Sequence, residues 1–287
     1  MSVKYLSTVK TIGNARQAAR ALLSEETDTA ALDADLLLSA ALSVNRNLLE
    51  ALDATELGPC QATNFKHLLQ RRLSGEPIAY ITQSKSFWTI DLQVSPATLV
   101  PRPETELVVE RALFHCQAIE SPELADLGTG SGCIALAIAS EVSAAHLVAT
   151  DISVDALEVA KQNCKALELD NVSFSCGSWT EALPYHRFDI IVSNPPYIAN
   201  DDQCLADKFM RFEPPLALIG GSDGLESIRR IVTGVRKHLK PGGWLIIEHG
   251  YDQGDAVRNL FESNGLKACS TFKDLADLDR VTEGRNS

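Results

Sequence analysis

The stretch Glu123-Leu124-Ala125-Asp126-Leu127-Gly128-Thr129-Gly130-Ser131-Gly132-Cys133-Ile134-Ala135 decides the fold. A short apolar run, the form of a buried strand, enters three alternating glycines. It leaves into Ile134-Ala135-Leu136-Ala137, a run of helix formers. Glycine allows positive φ and close approach of a ligand to the backbone. A strand–glycine–helix turn is shared by many nucleotide-binding sheets, and it also serves as a plain tight turn. No Gly-Lys-Ser/Thr follows, so this is not a P-loop.

Downstream the alternation continues. Strands are expected at Leu124–Leu127, His146–Asp151, Val172–Cys176, Phe188–Ser193 and Trp244–Glu248. Helices are expected between them at Ile134–Glu141, Val154–Leu167 and Leu225–Leu239. Such alternation gives an α/β fold whose mostly parallel sheet is covered on both faces. Ligands then bind at the carboxyl ends of the strands, where the strand order reverses.

Upstream the pattern differs. Residues 1–74 repeat apolar side chains at helical spacing, as in Ala18, Leu22, Leu23 and in Phe65, Leu68, Leu69, Leu73. They read as a bundle of four or five short helices, with Thr29 or Asp28, Asn45 and Thr63 as caps. Residues 75–104 read as a β-hairpin and an extended, proline-marked linker, with Tyr80, Ile81, Phe87, Trp88, Ile90 and Leu92 in partial alternation. A helix over Thr105–Ala118 opens the α/β domain, 105–287. Arg102, Glu104 and Glu106 flank Pro103 and suit a helix start better than an acid pair.

Composition narrows the function. The chain has 287 residues, 45% hydrophobic and 22% charged, which is globular. A formal charge of −12 opposes unaided binding to a phosphate backbone, so no direct nucleic-acid partner is expected; the pair Arg229-Arg230 reads as a solvated face. The seven cysteines are scattered, with no C-x-x-C, and read as buried reduced thiols rather than a disulfide or zinc framework. None of the six histidines is placed as a metal ligand. The first residues lack the apolar core of a signal peptide, and no run is long enough to span a bilayer, so a cytoplasmic location is expected.

Two further features carry chemistry. Asp151 closes the second strand about 20 residues past the glycine turn, where an acid accepts hydrogen bonds from ribose hydroxyls. It also suits an N-cap for the helix near Ser153. The decisive motif is Asn194-Pro195-Pro196-Tyr197, directly after the strand Phe188–Ser193. The Asn194 side-chain carbonyl and the Pro195 main-chain carbonyl offer two acceptors to an incoming N–H group. Two prolines stiffen the loop and remove two donors. Tyr197 offers a ring face to a planar group and to nearby positive charge. An amide or aromatic amine nitrogen is a poor nucleophile because its lone pair is delocalised. Paired acceptors that favour a pyramidal nitrogen point to nitrogen methylation.

These pieces together resemble the family of peptide chain release factor glutamine methyltransferases. The matching segments are Gly75 to Ile81, Val94 to Glu106, Asp126 to Cys133, Asn194 to Ile198, Phe212-Glu213-Pro214 and Gly220 to Leu225, then Pro241-Gly242-Gly243, Glu248-His249-Gly250 and Arg280-Val281-Thr282. The resemblance implies a Rossmann-like class I domain with a seven-stranded, mostly parallel sheet. It implies S-adenosylmethionine as donor, and as acceptor the glutamine of the Gly-Gly-Gln motif in release factors. Carried over by position, Gly128, Thr129, Gly130, Ser131 and Gly132 would cradle the methionine part of the donor. Asp151 would bind its ribose. Trp179 would lie by its adenine, although core packing explains that residue equally well. Asn194, Pro195, Pro196 and Tyr197 would hold the glutamine amide, with Asn194 close to both substrates. The N-terminal bundle fits the family's layout but has no motif of its own; because the methyltransferase domain is complete without it, it is expected to recognise the substrate protein, and a monomer is expected. One departure stands out: Asp277 occupies a position where glycine is expected, which bears on a local turn.

Two rivals share these motifs. An adenine amino-methyltransferase would place a flipped base where the amide goes, but the acidic balance and the missing basic, aromatic-rich segment oppose it. A catalytically dead scaffold would have no reason to keep the glycine turn, the acid and the acceptor loop together.

Overall fold

The computed structural model describes residues 10–287; the N-terminal stretch at 1–9 lies outside the described residues. The chain forms two compact units. The first comprises residues up to 84 together with 208–212. Its helices are α1 (Ile12–Leu23), α2 (Ala30–Leu42), α3 (Pro59–Leu73) and α4 (Ile78–Thr82). Leu23, Leu37, Leu38, Phe65 and Leu69 form its dry core. Near that core Arg72 donates to Asp33 at 2.7 Å and lays its guanidinium over the ring of Phe209, 4.7 Å from the centroid. Arg211 donates to the carbonyl of Ser74 at 2.5 Å. These contacts bring a segment from late in the sequence into a unit otherwise made by its beginning.

The second unit begins with a hairpin, β1 (Ser84–Phe87) and β2 (Ile90–Gln93), followed by α5 (Glu106–Cys116). Then strands β3 (Glu123–Leu127), β4 (His146–Asp151), β5 (Val172–Cys176) and β6 (Phe188–Ser193) alternate with α6 (Cys133–Glu141) and α7 (Val154–Ala166). After β6 come the single turn α8 (Pro215–Leu218), then α9 (Glu226–Val235) and β7 (Leu239–Glu248). The chain closes with α10 (Gly254–Ser263), β8 (Leu266–Lys273) and β9 (Asp279–Asn286). The seven strands lie in the order β5-β4-β3-β6-β7-β9-β8. Pairing is parallel from β5 through β7, and β9 runs antiparallel to both β7 and β8. This is the mostly parallel seven-stranded sheet that the resemblance implies.

The period of two along each strand divides the core. Leu124, Ile190, Val192 and Ile246 face Val108, Ile134 and Ile138 of α5 and α6. Ala125, Leu127, Ile191, Leu245 and Ile247 face Ile228, Ile231 and Phe261 of α9 and α10. Both faces are therefore covered, as a parallel sheet requires.

The structure departs from the sequence reading in several places. Residues 78–82 are helical rather than strand, because Ile81 joins the core of the first unit. Gln83 ends that helix in a left-handed conformation, φ 57°, and the hairpin starts only afterwards. Between α2 and α3 lie two 3₁₀ turns, 46–48 and 50–52, instead of further α-helices. Thr63 caps nothing. It sits inside α3, which starts at Pro59, and the Gly58 N–H donates to the side-chain oxygen of Gln61. Thr29 holds the N-cap position of α2, but its hydroxyl donates to Asp33 instead of capping the backbone. All seven cysteines are unpaired, yet Cys60, Cys176 and Cys204 are exposed rather than buried. Asp277 takes φ 62° in the turn between β8 and β9, the conformation for which glycine is the usual choice. Among the described residues, no helix is long and apolar enough to cross a membrane.

One prediction concerns the C-terminal elements that close the sheet. Phe261 on α10 is fully buried against β8 and β9. Phe261→Ala should lower stability by about 3–5 kcal/mol, read by urea unfolding with near-ultraviolet circular dichroism.

Candidate active site

Strand β3 has β4 on one side and β6 on the other, so the chain leaves it in one direction and returns on the opposite side. At that reversal the carboxyl ends of the strands border a cavity of about 330 Å³. The loops after β3, β4, β5 and β6 supply Gly128–Ser131, Asp151, Trp179 and Asn194. The proline-marked connection supplies Ala97–Leu99 and Pro101, and Pro214, Leu216, Ile219 and Gly220 also line the cavity.

The glycine turn is fixed from two sides. Gly128 and Thr129 donate their N–H groups to the carbonyl of Thr150 at 2.9 and 2.8 Å. Thr129 also donates its hydroxyl to Asp126 at 2.6 Å. Gly128 has φ 73°, and a Cβ there would lie 3.2 Å from the Trp179 ring, so only glycine suits the position. Trp179 packs against a core cluster and also lines the cavity. Asp126 is completely buried, one oxygen has no partner, and burial pushes its carboxyl up to about 7.

Asp151 is not the cap of α7. Ser153 is, accepting from the Ala156 N–H at 3.2 Å. Asp151 instead accepts from the Gly130 N–H and the Ser153 N–H, both at 2.9 Å, and so joins the first and second strand–helix loops at the cavity. Partial burial raises its carboxyl above the ordinary value. In the same turn the Ser131 hydroxyl is buried without a partner, a polar atom placed for something that enters the cavity.

The loop after β6 is held more tightly still. Ser193 donates its hydroxyl to the carbonyl of Leu127 at 2.7 Å. Asn194 donates its side-chain N–H to the Thr105 hydroxyl at 3.0 Å. Ile198 donates to the Leu218 carbonyl and accepts from the Gly220 N–H, at 3.0 and 2.8 Å. Gln253 donates to the carbonyl of Tyr197 at 3.0 Å. A Cβ at Gly224 would lie 2.2 Å from that carbonyl, which accounts for glycine at φ 73° there. The Tyr197 hydroxyl donates to Glu248 at 3.2 Å. Glu248 is itself fully buried, and burial pushes its carboxyl up to about 7.

The structure therefore brings Gly128–Ser131, Asp151, Trp179, Asn194 and Pro196 to one cavity. Pro195 is buried, and neither it nor Tyr197 belongs to the cavity wall; the Tyr197 hydroxyl turns to Glu248. Gly132 is not in the wall either, because a Cβ there would meet the side chain of Leu136, 2.8 Å away. Arg230 is not a plain solvated residue: it reaches the cavity and donates to the Ser178 hydroxyl at 2.9 Å.

Sequence reasoning gave no role to Thr105, Glu213, Glu248 or the Gly220–Gly224 segment. Glu213 accepts from the Val100 N–H at 3.0 Å and from the Arg102 guanidinium, and so fastens the proline-marked wall. The signal was present, since these residues lie in the quoted segments Phe212-Glu213-Pro214 and Glu248-His249-Gly250. Spacing alone could not show that a buried carboxylate answers a distant loop.

Comparison with known proteins bears on the family and the fold. A family model described as the PrmC N-terminal domain matches residues 14–82, and one described as a methyltransferase domain matches 123–281. The chain is 49% identical to a release factor glutamine methyltransferase of Xylella fastidiosa (strain Temecula1) over 254 residues, 88% of this chain and 92% of that relative. It is 42% identical to one of Aliivibrio fischeri over 271 residues, 94% and 95% of the two chains. Among solved structures it resembles a methyltransferase from Pyrococcus furiosus (TM-score 0.52, 17% identity, 76% of this chain and 97% of the other). It also resembles a T. thermophilus 16S rRNA N2 G1207 methyltransferase solved with AdoMet and guanosine (TM-score 0.53, 19% identity, 71% and 50%). The two structural likenesses show the fold alone.

The two buried carboxyls set a pH dependence. Asp126 and Glu248 titrate near 7 in the folded chain, well above the carboxylate range of an unfolded one. From pH about 4 to 7 the folded state then binds more protons, and stability falls as pH rises through that window. Asp126→Asn removes one of the two contributions. Its unfolding free energy should fall less steeply between pH about 5 and 7, by up to about 1.4 kcal/mol per pH unit, in urea titrations at each pH.

Proposed function

Because this chain belongs to the release factor glutamine methyltransferase family, we propose that it transfers a methyl group from S-adenosylmethionine to the side-chain amide nitrogen of a glutamine, that of the Gly-Gly-Gln motif in a peptide chain release factor. The observation that carries the chemistry is the Asn194 amide. Its N–H end is engaged by Thr105 at 3.0 Å, which leaves its carbonyl oxygen as the end available to an acceptor N–H.

The cavity fits the donor. Its glycine turn approaches closely, Ser131 holds an unpartnered hydroxyl, and Asp151 and Trp179 stand on the two following loops. Gly128–Ser131 would hold the methionine part, Asp151 the ribose hydroxyls, and Trp179 the adenine edge. When bound, S-adenosylmethionine supplies an activated methyl group on a sulfonium centre. The chain's own residues then supply position. Asn194 through its side-chain carbonyl and Pro195 through its main-chain carbonyl accept from the two amide hydrogens, which localises the nitrogen lone pair. Pro196 keeps the loop rigid, and Tyr197 anchors it to Glu248. The cationic amide formed on methylation is a strong acid, so its proton leaves to solvent without a dedicated base.

The helical unit is the part that recognises the substrate protein, and one copy of the chain acts on one release factor in the cytoplasm. Leu32 and Leu48 are exposed apolar residues on that unit. Leu32→Glu with Leu48→Glu should raise KM for the release factor several-fold while leaving kcat and donor affinity unchanged; an unaltered KM removes this face from recognition.

Asn194→Ala tests the chemistry. Transfer should fall at least about a hundredfold while the dissociation constant for S-adenosylmethionine, measured by calorimetry, changes only a few-fold. Transfer at the unsubstituted rate contradicts the acceptor mechanism.

A further inference from the structure

The turn after β7 carries a side chain that its own helix does not use. Gln253 stands immediately before α10, yet its amide makes no capping bond to that helix. Its Oε1 instead accepts from the Gly250 N–H at 2.9 Å. Its Nε2 donates to the Tyr197 carbonyl at 3.0 Å, across 56 residues of sequence. Two glycines make room for this amide. A Cβ at Gly224 would lie 2.6 Å from Nε2, and one at Gly250 would lie 3.1 Å from Oε1. The turn itself is fastened to the sheet. The Gly250 carbonyl accepts from the Gln253 N–H at 2.9 Å, and the buried His249 ring spans that carbonyl and the Thr282 hydroxyl of β9, 2.8 Å from each.

Only one orientation of the Gln253 amide satisfies both neighbours, because the Gly250 N–H needs an acceptor and the Tyr197 carbonyl needs a donor. The consequence lies in the loop after β6. Pro195 and Pro196 have fixed φ, so the freedom of that loop is left to its ψ angles and to Tyr197. Its entry is held by the Ser193 hydroxyl on the Leu127 carbonyl and by Asn194 on Thr105. At its exit the peptide between Tyr197 and Ile198 is held from both sides. The carbonyl is held by Gln253, and the Ile198 N–H donates to the Leu218 carbonyl at 3.0 Å. Releasing the carbonyl lets that peptide plane rotate. The rotation passes back along the loop to Pro195, whose carbonyl is one of the two acceptors.

We propose that Gln253 is a positioning residue for methyl transfer: it latches the Tyr197 carbonyl and so fixes the Asn194 and Pro195 acceptors relative to the donor. This rests on the reading of that loop as the acceptor for a substrate N–H group. Gln253 is not part of the cavity wall, so it acts through the loop and leaves donor binding alone.

Two substitutions separate the two bonds of this side chain. Gln253→Glu keeps an acceptor for the Gly250 N–H and loses the donor to Tyr197. Gln253→Lys keeps a donor for Tyr197 and loses the acceptor. The latch predicts that kcat for methyl transfer to a release factor falls about ten- to a hundredfold in Gln253→Glu but less than about fivefold in Gln253→Lys, with the dissociation constant for S-adenosylmethionine within about twofold in both. A role confined to the turn predicts the reverse order. Amide hydrogen exchange reads the loop without turnover: the Ile198 and Gly220 N–H groups should exchange at least about tenfold faster in Gln253→Glu than in the unsubstituted chain. Unsubstituted kcat in Gln253→Glu, or a larger loss in Gln253→Lys than in Gln253→Glu, overturns the proposal. If Gln253→Glu does not fold, the uncharged Gln253→Met takes its place with the same expectation. If the unsubstituted chain transfers nothing to a release factor, the substrate reading fails. Exchange then decides the latch alone: an unchanged rate at Ile198 overturns it, and a faster one supports it.

Discussion

Parallel pairing of β3 with β4 on one edge and β6 on the other is the constraint on which the rest of the catalytic unit depends. Parallel neighbours cannot be joined by a tight turn, so each needs a crossover, and the crossovers leave β3 in opposite senses. The loops at its carboxyl end and at that of β6 diverge and leave a crevice. Asp126, two residues before Gly128, pairs in register with Ala149 on β4 and with Val192 on β6, which is itself two residues before Asn194. Donor-side and acceptor-side loops are thus neighbours because of strand order, although almost 70 residues of sequence separate them.

Electrostatic strain is concentrated at this crevice. Asp126 and Glu248 are fully buried, each keeps an unpartnered oxygen, and neither forms an ion pair within the described residues. Burial makes their ionisation costly near neutral pH. Two apolar cores, one on each face of the sheet, offset that cost. Elsewhere the buried acids are paired: Asp33 with Arg72, Glu213 with Arg102, and Glu283 with Arg111 and His115. The unpaired ones support the glycine turn and the loop after β6 from behind, Asp126 through Thr129 and Glu248 through Tyr197.

Much of this was legible in the amino-acid sequence, and the reasons differ by element. The central strands are mostly apolar because both faces are buried, so His146–Asp151 and Phe188–Ser193 coincide with the observed strands, while Val172–Cys176, at the sheet edge, was legible through its alternation. The final strand was not readable. Asp279–Asn286 is mostly polar, and it buries Glu283 through ion pairs and His249 against Thr282 rather than by hydrophobicity. Residues 78–82 misled because four apolar positions in a short stretch fit a strand as well as a single helical turn. At the site, the glycine turn was readable because its positive φ demands glycine, and Asp151 and Asn194 because their side-chain acceptors stand at the ends of the following strands. Thr105 and Glu248 were not, because each meets the acceptor loop from an element far away in sequence. Pro195 and Tyr197 were placed at the surface of the site, and the structure turns them towards its supports.

The central claim is that an acceptor loop built for N–H groups meets a glutamine amide of a release factor. The most direct measurement follows a labelled methyl group from S-adenosylmethionine to a purified release factor, beside a variant whose Gly-Gly-Gln glutamine is replaced. Labelling of the unsubstituted factor alone is the predicted result. Equal labelling of both, or none of either from a folded chain that binds the donor, would contradict the account.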